Sequence, residues 1–234
     1  MAEARMMRDF RHPNVVRFYG YAIDHEPLLI VMEHEGALDS YLKKKGAGIS
    51  ADVKMKMCCD AACGIEYLHV ISVMHRDISA RNCLYSGAAL KLSDFGLSKK
   101  GTHYQMVPTE RTPIRWTAPE IFLTGIYTPK ADVWAFGILM WEIFTNVQEE
   151  PYRGWNGDKV RAEVGRGFRL RLPDSAPPKA KEVFSQVMMG KPETRPAIVI
   201  IARQLQAAVG SLDGHKVMGD VVTSFRLVCP SETT

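Results

Sequence analysis

The sequence predicts an α+β fold in two unequal parts, a short strand-bearing N-terminal region and a longer, mainly helical remainder. Three observations carry that expectation. Two β-rich runs, Val15 to Tyr21 and Leu28 to Met32, stand near the start, separated by a turn-like Asp24-His25-Glu26-Pro27. Val53, Met57, Ala61, Ile65 and Leu68 recur near the helical period and define one long helix from Val53 to His69. The segment from Asp132 to Glu142 is apolar almost all round, which predicts a helix buried on every side.

The remaining elements follow in chain order. Glu3, Met7 and Phe10 are spaced i, i+4, i+7, so Met1 to Phe10 is expected to be helical. Leu38 to Lys45 predicts a short helix closed by Gly46-Ala47-Gly48, and Ser50-Ala51-Asp52 supplies an N-cap for the long helix. Leu84-Tyr85 and Leu90-Lys91-Leu92 alternate as two short strands around a Ser86-Gly87 turn. Leu97 to Thr112 has no periodicity and is expected to be an irregular loop. Two further helices are predicted over Lys179 to Met189 and Ile198 to Ala208. Val217 to Cys229 supports no assignment, and Pro230 to Thr234 is expected to fray.

Composition narrows the function classes. With 46% hydrophobic and 24% charged residues over 234 positions, the chain is globular and large enough for one domain or two small lobes. A net charge of +4, with no run of five Lys or Arg, suits contact with phosphates or acidic peptides and gives no reason to expect nucleic acid. The five cysteines show no paired C-x-x-C spacing, so reduced core thiols are expected and zinc is not. The longest apolar run, Val133 to Trp141, falls well short of a membrane span, and the N-terminus is unlike a signal peptide. These features predict a soluble, intracellular protein with no transmembrane segment.

Chemistry concentrates in His75-Arg76-Asp77-Ile78-Ser79-Ala80-Arg81-Asn82, which reads H-R-D-x-x-x-x-N. Asp94-Phe95-Gly96 begins twelve residues after Asn82, and Ala118-Pro119-Glu120 follows. Phosphoryl transfer needs little covalent help. It needs a carboxylate beside the attacking hydroxyl and oxygen ligands for Mg²⁺. Asp77, Asn82 and Asp94 supply those groups. Each motif occurs once, in order, and coincidence is put at roughly one in a hundred or less given the several parts required.

With these motifs the chain resembles a protein kinase, and more narrowly a protein-tyrosine kinase. The resemblance covers about residues 1 to 208 and implies a two-lobed fold: residues 1–35 a remnant of the small lobe, 36–209 the complete, mainly helical large lobe, and 210–234 an unassigned tail. It implies ATP with Mg²⁺, Mn²⁺ being an alternative ion, and protein substrates bearing tyrosine. Asp77 is then the catalytic carboxylate, with Arg81 beside it. Asn82 and Asp94 are the metal ligands, and Asp94 also counts toward the ATP site. Met32 takes the gatekeeper position, Glu33 to Glu35 the hinge, and Leu84 the floor under the adenine. Glu3 is the helix C glutamate that pairs with a strand lysine. His75 is structural, Phe95 packs toward Met7 and Phe18, Glu120 pairs with Arg195, and Asp132 holds the backbone of the His75–Asp77 turn. Tyr104 is a candidate autophosphorylation site and Arg76 the partner of its phosphate. Two features favour tyrosine as acceptor: Arg81, with Ser79 where serine/threonine kinases carry lysine, and Pro113, which supports a substrate phenol ring. Pro151 to Pro173 matches the next helix and loop on the substrate side.

The chain also departs from the family. It contains no G-x-G-x-x-G-x-V loop and no V-A-I-K strand, so the small lobe is expected to be incomplete, and a two-stranded remnant is expected to be weak. The hinge His34-Glu35-Gly36-Ala37-Leu38 is about two residues shorter than usual in the family, and Val187-Met188-Met189-Gly190 replaces the usual Cys-Trp pair. Glu3-Ala4-Arg5, Ile30-Val31-Met32-Glu33 and Ser93-Asp94-Phe95-Gly96-Leu97-Ser98 are most similar to the non-receptor Fes/Fer group. Its members carry a phosphotyrosine-binding domain ahead of the kinase, so further upstream domains are expected outside this chain. The expected location is the cytoplasm, including the inner face of the plasma membrane. Two readings follow: a tyrosine kinase whose isolated 234 residues are weak or inactive, and a catalytically silent module that binds other proteins.

Overall fold

The computed structural model describes residues 6–22, 29–107, 110 and 112–212. Glu3, the Asp24–Pro27 turn and the chain beyond 212 lie outside the described residues.

Strands β1 (Phe18–Ala22) and β2 (Leu29–Met32) pair antiparallel, with a register shift between Phe18 and Gly20. The first β-rich run enters the sheet only at Phe18. Its beginning is stitched elsewhere: Val15 bridges Leu92 in parallel, the Val16 N–H donates to the Leu92 carbonyl (2.8 Å), and the Leu92 N–H donates to the Asn14 carbonyl (2.9 Å). The chain thereby ties the small sheet to the larger part. Tyr19 (60%), Leu29 (55%), Val31 (49%) and Ile30 (39%) stay exposed, because among the described residues no layer covers them. Apolar side chains left in water forfeit the burial that stabilises a sheet.

The larger part contains seven helices among the described residues: α1 (Leu38–Lys45), α2 (Ala51–Val70), α3 (Pro119–Thr124), α4 (Pro129–Phe144), α5 (Gly157–Gly165), α6 (Pro178–Val187) and α7 (Ile198–Leu212). Helix α2 starts where Ser50 accepts the Val53 N–H (3.3 Å), a side-chain N-cap. Helix α4 is buried from Ala131 to Phe144, as its all-round apolar sequence requires, and it packs against α2 and α6. Gly137 admits the end of α6 there, since a Cβ on it would lie 2.6 Å from Met188 Sδ. Arg195, fully buried, donates Nη1 and Nη2 to the two oxygens of Glu120 (2.8 and 3.1 Å) and also bonds the Met189 and Lys130 carbonyls. This expected pair ties α3 to the turn before α7.

Short antiparallel pairs complete the fold: β3 (Val73–Met74) with β6 (Lys99–Lys100), β4 (Cys83–Tyr85) with β5 (Leu90–Leu92), and β7 (Tyr104–Gln105) with β8 (Ile126–Tyr127). Strands β6 and β7 correct the expectation that 97–112 is wholly irregular. Two-residue strands carry no readable period, and their partners lie about twenty or more residues away.

Gly64 marks the closest approach between α2 and the N-terminal segment. A Cβ there would sit 2.6 Å from the Asn14 carbonyl oxygen and 3.0 Å from Leu92 Cδ1. That carbonyl is held by Leu92 and cannot yield as a flexible side chain would. Gly64→Ala is therefore expected to lose ~1–3 kcal/mol to overpacking, more than the ~1 kcal/mol that alanine adds in helix propensity. Urea denaturation of the two proteins measures the difference.

Candidate active site

The site is built on a buried carboxylate. Asp132, in the first turn of α4, has no exposed surface. Its Oδ2 accepts the His75 N–H (2.9 Å) and lies 3.0 Å from His69 Nε2. Its Oδ1 accepts the Arg76 N–H and the Tyr127 hydroxyl, both at 2.9 Å. Burial pushes the carboxyl up, but the hydrogen bonds from His69 and the Arg76 N–H, with the nearby His75, outweigh it and hold it below the usual range. Arg76 sits at φ +71°, a left-handed conformation that a long side chain rarely adopts. The two backbone bonds to Asp132 hold that turn.

His75 is buried, and burial lowers its basicity. Its Nδ1 accepts the Asp77 N–H (3.3 Å), which leaves Nε2 to donate to the Ser93 carbonyl (3.1 Å). One ring thus links the residue before Asp94 to Asp77. Asp77 Oδ1 receives Arg81 Nη2 (2.5 Å), and its carbonyl receives the Asn82 side-chain amide (2.8 Å). The Asn82 carbonyl in turn takes the N–H and hydroxyl of Ser93, both at 2.9 Å. Asp94 is exposed, sits at φ +59°, and accepts the Gly96 N–H (3.2 Å). Asp77, Arg81, Asn82 and Ser93 are therefore brought into one network, with Asp94 next along the chain. Phe95 is buried, and its ring contacts are with Phe10 (5.0 Å) and His75 (4.9 Å). Phe10, three residues after Met7, presents its ring to Phe95.

Beside the network lies the segment expected to be the hinge. Met32 ends β2 opposite Phe18. The Glu33 N–H is spent on the Arg17 carbonyl (2.8 Å), so Glu33 can offer only its own carbonyl to a ligand. Lys91 ion-pairs with Glu33 and lies 3.7 Å from Glu35. That bond is the main reason the Glu33 carboxyl is held below its usual range. The Gly36 carbonyl accepts the Tyr85 N–H (2.8 Å), and Ala37 bridges Leu84, so Leu84 lies against this segment.

The segment after Asp94 meets the same turn. Arg76 is almost wholly buried. Its Nη1 donates to the Leu97 carbonyl and to Glu110 Oε1, both at 3.0 Å. The Tyr104 ring covers its guanidinium at 4.3 Å, and the Tyr104 hydroxyl reaches Glu110 Oε1 at 3.5 Å. The pairing with Arg76 holds the Glu110 carboxyl below its usual range. Arg76 is thus already matched by a carboxylate, which the expectation of a phosphate partner did not include. Further along, the Pro113 carbonyl accepts the Trp116 N–H and the Thr117 hydroxyl. Arg81 lies over the Trp116 ring at 4.4 Å, so its guanidinium joins Asp77 to the segment that follows Pro113.

The family model for protein tyrosine and serine/threonine kinases matches residues 1–205. The chain belongs to the protein kinase family. It is 40% identical to Fer-related kinase 1 of Caenorhabditis elegans over 211 residues, 88% of this chain and 53% of that protein. It is 35% identical to tyrosine-protein kinase Fer of Homo sapiens over 210 residues, 88% of this chain and 25% of that protein. Human tyrosine-protein kinase TXK is 36% identical over 206 residues, 86% of this chain and 39% of that protein. The chain spans about half or less of the length of these curated relatives. The matches agree with the Fes/Fer-like resemblance in the sequence.

Three residues of this kinase domain escaped the motif analysis. His69, given no role from the sequence, bonds Asp132. Glu110 is the counter-ion of Arg76. Glu142, on α4, accepts the Ala80 N–H (2.9 Å) and the Trp116 indole N–H (3.1 Å) on one oxygen, joining the Asp77 loop to the Pro113 segment. Only Glu142 left a trace in the sequence, as a carboxylate inside an apolar helix.

Burial pushes the Glu142 carboxyl up to about 7, against the bonds from Ala80 and Trp116. The folded protein therefore holds this proton more tightly than the unfolded chain. Its stabilising effect is full below the ordinary value of 4.5 and is lost as pH rises through about 7. Glu142→Gln keeps an acceptor and removes the titration. Between about pH 5 and pH 8 the wild type is expected to lose on the order of 3 kcal/mol more than this variant, read as urea midpoints. Glu110→Ala strands the buried Arg76 and is expected to cost ~1–3 kcal/mol. Trypsin cleavage at Lys99 or Lys100 should quicken in that variant, and unfolding curves give the stability change.

Proposed function

We propose that this chain carries the catalytic lobe of a protein-tyrosine kinase, transferring the γ-phosphate of ATP to tyrosine hydroxyls of protein substrates. In this reading residues 36–209 are the large lobe, residues 1–35 belong to the small lobe with Glu3 as its helix C glutamate, and residues 210–234 are a tail. The observation that carries it is the single network of Asp77, Arg81, Asn82 and Ser93, with Asp94 next along the chain.

The donor set fits a hard divalent cation. The Asn82 amide donates to the Asp77 carbonyl, which leaves the Asn82 Oδ1 without a donor among the described residues. Asp94 commits Oδ1 to Gly96 and leaves its other oxygen open. Asn82 and Asp94 would hold Mg²⁺, or Mn²⁺ in its place, through these oxygens. Such a cation would supply charge stabilisation for the phosphates of ATP. Asp77 orients the substrate hydroxyl and accepts its proton late at the carboxylate. Arg81, clamped between Asp77 and Trp116, fixes that carboxylate. Pro113 supports the phenol ring, and Met32, the Glu33–Glu35 backbone and Leu84 receive the adenine. Arg76 and Tyr104 form the regulatory pair, in which a phosphate on Tyr104 competes with Glu110 for Arg76. The protein acts in the cytoplasm, including the inner face of the plasma membrane, alongside upstream domains.

The 234 residues contain no glycine-rich loop and no V-A-I-K lysine. By themselves they should position the phosphates poorly, and lost near-attack geometry costs several orders of magnitude in rate. A second reading is a silent module that presents its large lobe to other proteins. Transfer from Mg·ATP to paired peptides differing only in Tyr or Ser separates the readings. A trace of phosphate confined to tyrosine and lost in Asp77→Asn is expected. Transfer to serine overturns the acceptor assignment. Rapid turnover overturns the weakness, and no transfer at any enzyme concentration leaves the silent module.

A further inference from the structure

Helix α5 ends in a closed turn. The Phe168 N–H donates to the Glu163 carbonyl (2.9 Å) and the Gly167 N–H to the Val164 carbonyl (3.1 Å), with Gly167 at φ +107°, a conformation that glycine adopts readily. From Phe168 to Pro173 the chain then forms neither helix, strand nor turn. Pro173 favours an extended backbone at Leu172 before it. Backbone bonding resumes where the Ala176 N–H donates to the Pro173 carbonyl (2.9 Å). In between, the backbone N–H and carbonyl groups of Arg169, Leu170, Arg171 and Leu172 have no hydrogen-bond partner among the described residues. The segment is nevertheless pinned. Arg169 donates Nε to the Met188 carbonyl and Nη1 to the Val164 carbonyl, both at 2.8 Å, and Leu172 is buried.

Two clefts meet along this segment. One, of about 430 Å³, lies between it and α6 and has Leu170, Phe184 and Met188 in its apolar lining. The other, of about 570 Å³, opens along residues 167–171. Arg169, Arg171 and Lys181 line the first against one carboxylate, Asp174. None of these cations is ion-paired among the described residues. Arg169 is bonded to carbonyls, Lys181 Nζ reaches only the Asp174 carbonyl (2.8 Å), and Arg171 is exposed.

We propose that residues 169–172 and α6 form a docking groove for an extended, acidic segment of a protein partner. The partner's backbone would pair with the open N–H and carbonyl groups of Leu170 and Arg171, as a strand adds to a free edge. An apolar side chain would enter the cleft against Leu170, Phe184 and Met188, and carboxylates would face Arg171 and Lys181. The open backbone is what selects an extended partner. A helix satisfies its own N–H and carbonyl groups internally and would leave these unpaired. The excess of cations over Asp174 selects an acidic partner over a basic one. Because the segment is held at both ends before binding, little ordering is lost on its side. Docking there does not depend on phosphate transfer, since these residues make no bond to the network around Asp77.

The probe is a short fluorescein-labelled peptide of alternating Glu and Val, with a Lys–Val peptide as charge-reversed control, added to the whole chain. Anisotropy is expected to show saturable binding of the Glu–Val peptide and about tenfold weaker binding of the control. Arg171→Ala and Lys181→Ala change exposed side chains and should leave circular dichroism unchanged. Each is expected to weaken binding about two- to fivefold, the range of a solvent-exposed ion pair, whereas Lys44→Ala on α1 has no effect. N-methylation of one alternate set of peptide amides should abolish binding and that of the other set should spare it, because only one set faces the groove. Amide exchange at Leu170 and Arg171 should be fast in the free chain and slow about tenfold with peptide at ten times its Kd. No saturable binding at millimolar peptide, equal binding of the Lys–Val control, or indifference to both substitutions would overturn the groove. Unslowed exchange at Leu170 and Arg171, or equal binding of the two N-methylated peptides, would overturn the strand pairing on which it rests.

Discussion

The loop that carries Asp77 hangs from the carboxylate of Asp132. That carboxylate lies inside the most apolar helix of the fold, where an unpaired charge would be costly. Its oxygens are instead met by two backbone N–H groups, a tyrosine hydroxyl and a histidine. The exchange runs both ways. The carboxylate tolerates burial because it is hydrogen-bonded, and the His75–Arg76 turn keeps its strained backbone because the carboxylate holds it. Asp77, Arg81 and Asn82 inherit their places from that turn. Helix α4 is thus both the centre of the core and the ruler against which the loop is set.

A second carboxylate on the same helix extends this logic. Glu142 lies close to three helical turns beyond Asp132 and binds the far side of the loop at Ala80 together with the Trp116 indole. The loop is therefore gripped at both ends from one rigid element, and the segment carrying Pro113 is gripped with it. Arg81 closes the arrangement by contacting both Asp77 and Trp116. Arg76 extends it toward the segment after Asp94, where Glu110 and the Tyr104 ring neutralise and cover a guanidinium that has almost no access to water. Any added charge near Tyr104 meets an electrostatic balance that already exists.

The small sheet stands in contrast. Its backbone is anchored through Val15, Val16 and the Glu33–Arg17 bond, and Lys91 steadies Glu33 and Glu35. Its apolar side chains nevertheless remain largely in water. Two strands satisfy each other's hydrogen bonds along one edge only, so the sheet depends on whatever covers its outer face far more than the helical part does.

The sequence by itself determined the parts whose information is local. The period of Val53 to Leu68 and the unbroken apolar run of α4 specified two helices, because one face or every face of a helix must be buried. Motifs of fixed spacing specified Asp77, Arg81, Asn82 and Asp94, and the Asp132 and Glu120–Arg195 contacts followed from the family resemblance those motifs support. Only the tertiary structure decided the partners that lie far apart in sequence. It matched His69 to Asp132, Glu110 to Arg76, and Glu142 to Ala80 and Trp116, and it paired the two-residue strands β6 and β7 with β3 and β8. The reason is physical. Backbone periodicity and motif spacing act over a few residues, whereas the worth of a lone histidine or carboxylate depends on which distant atom folding brings within 3 Å or so of it.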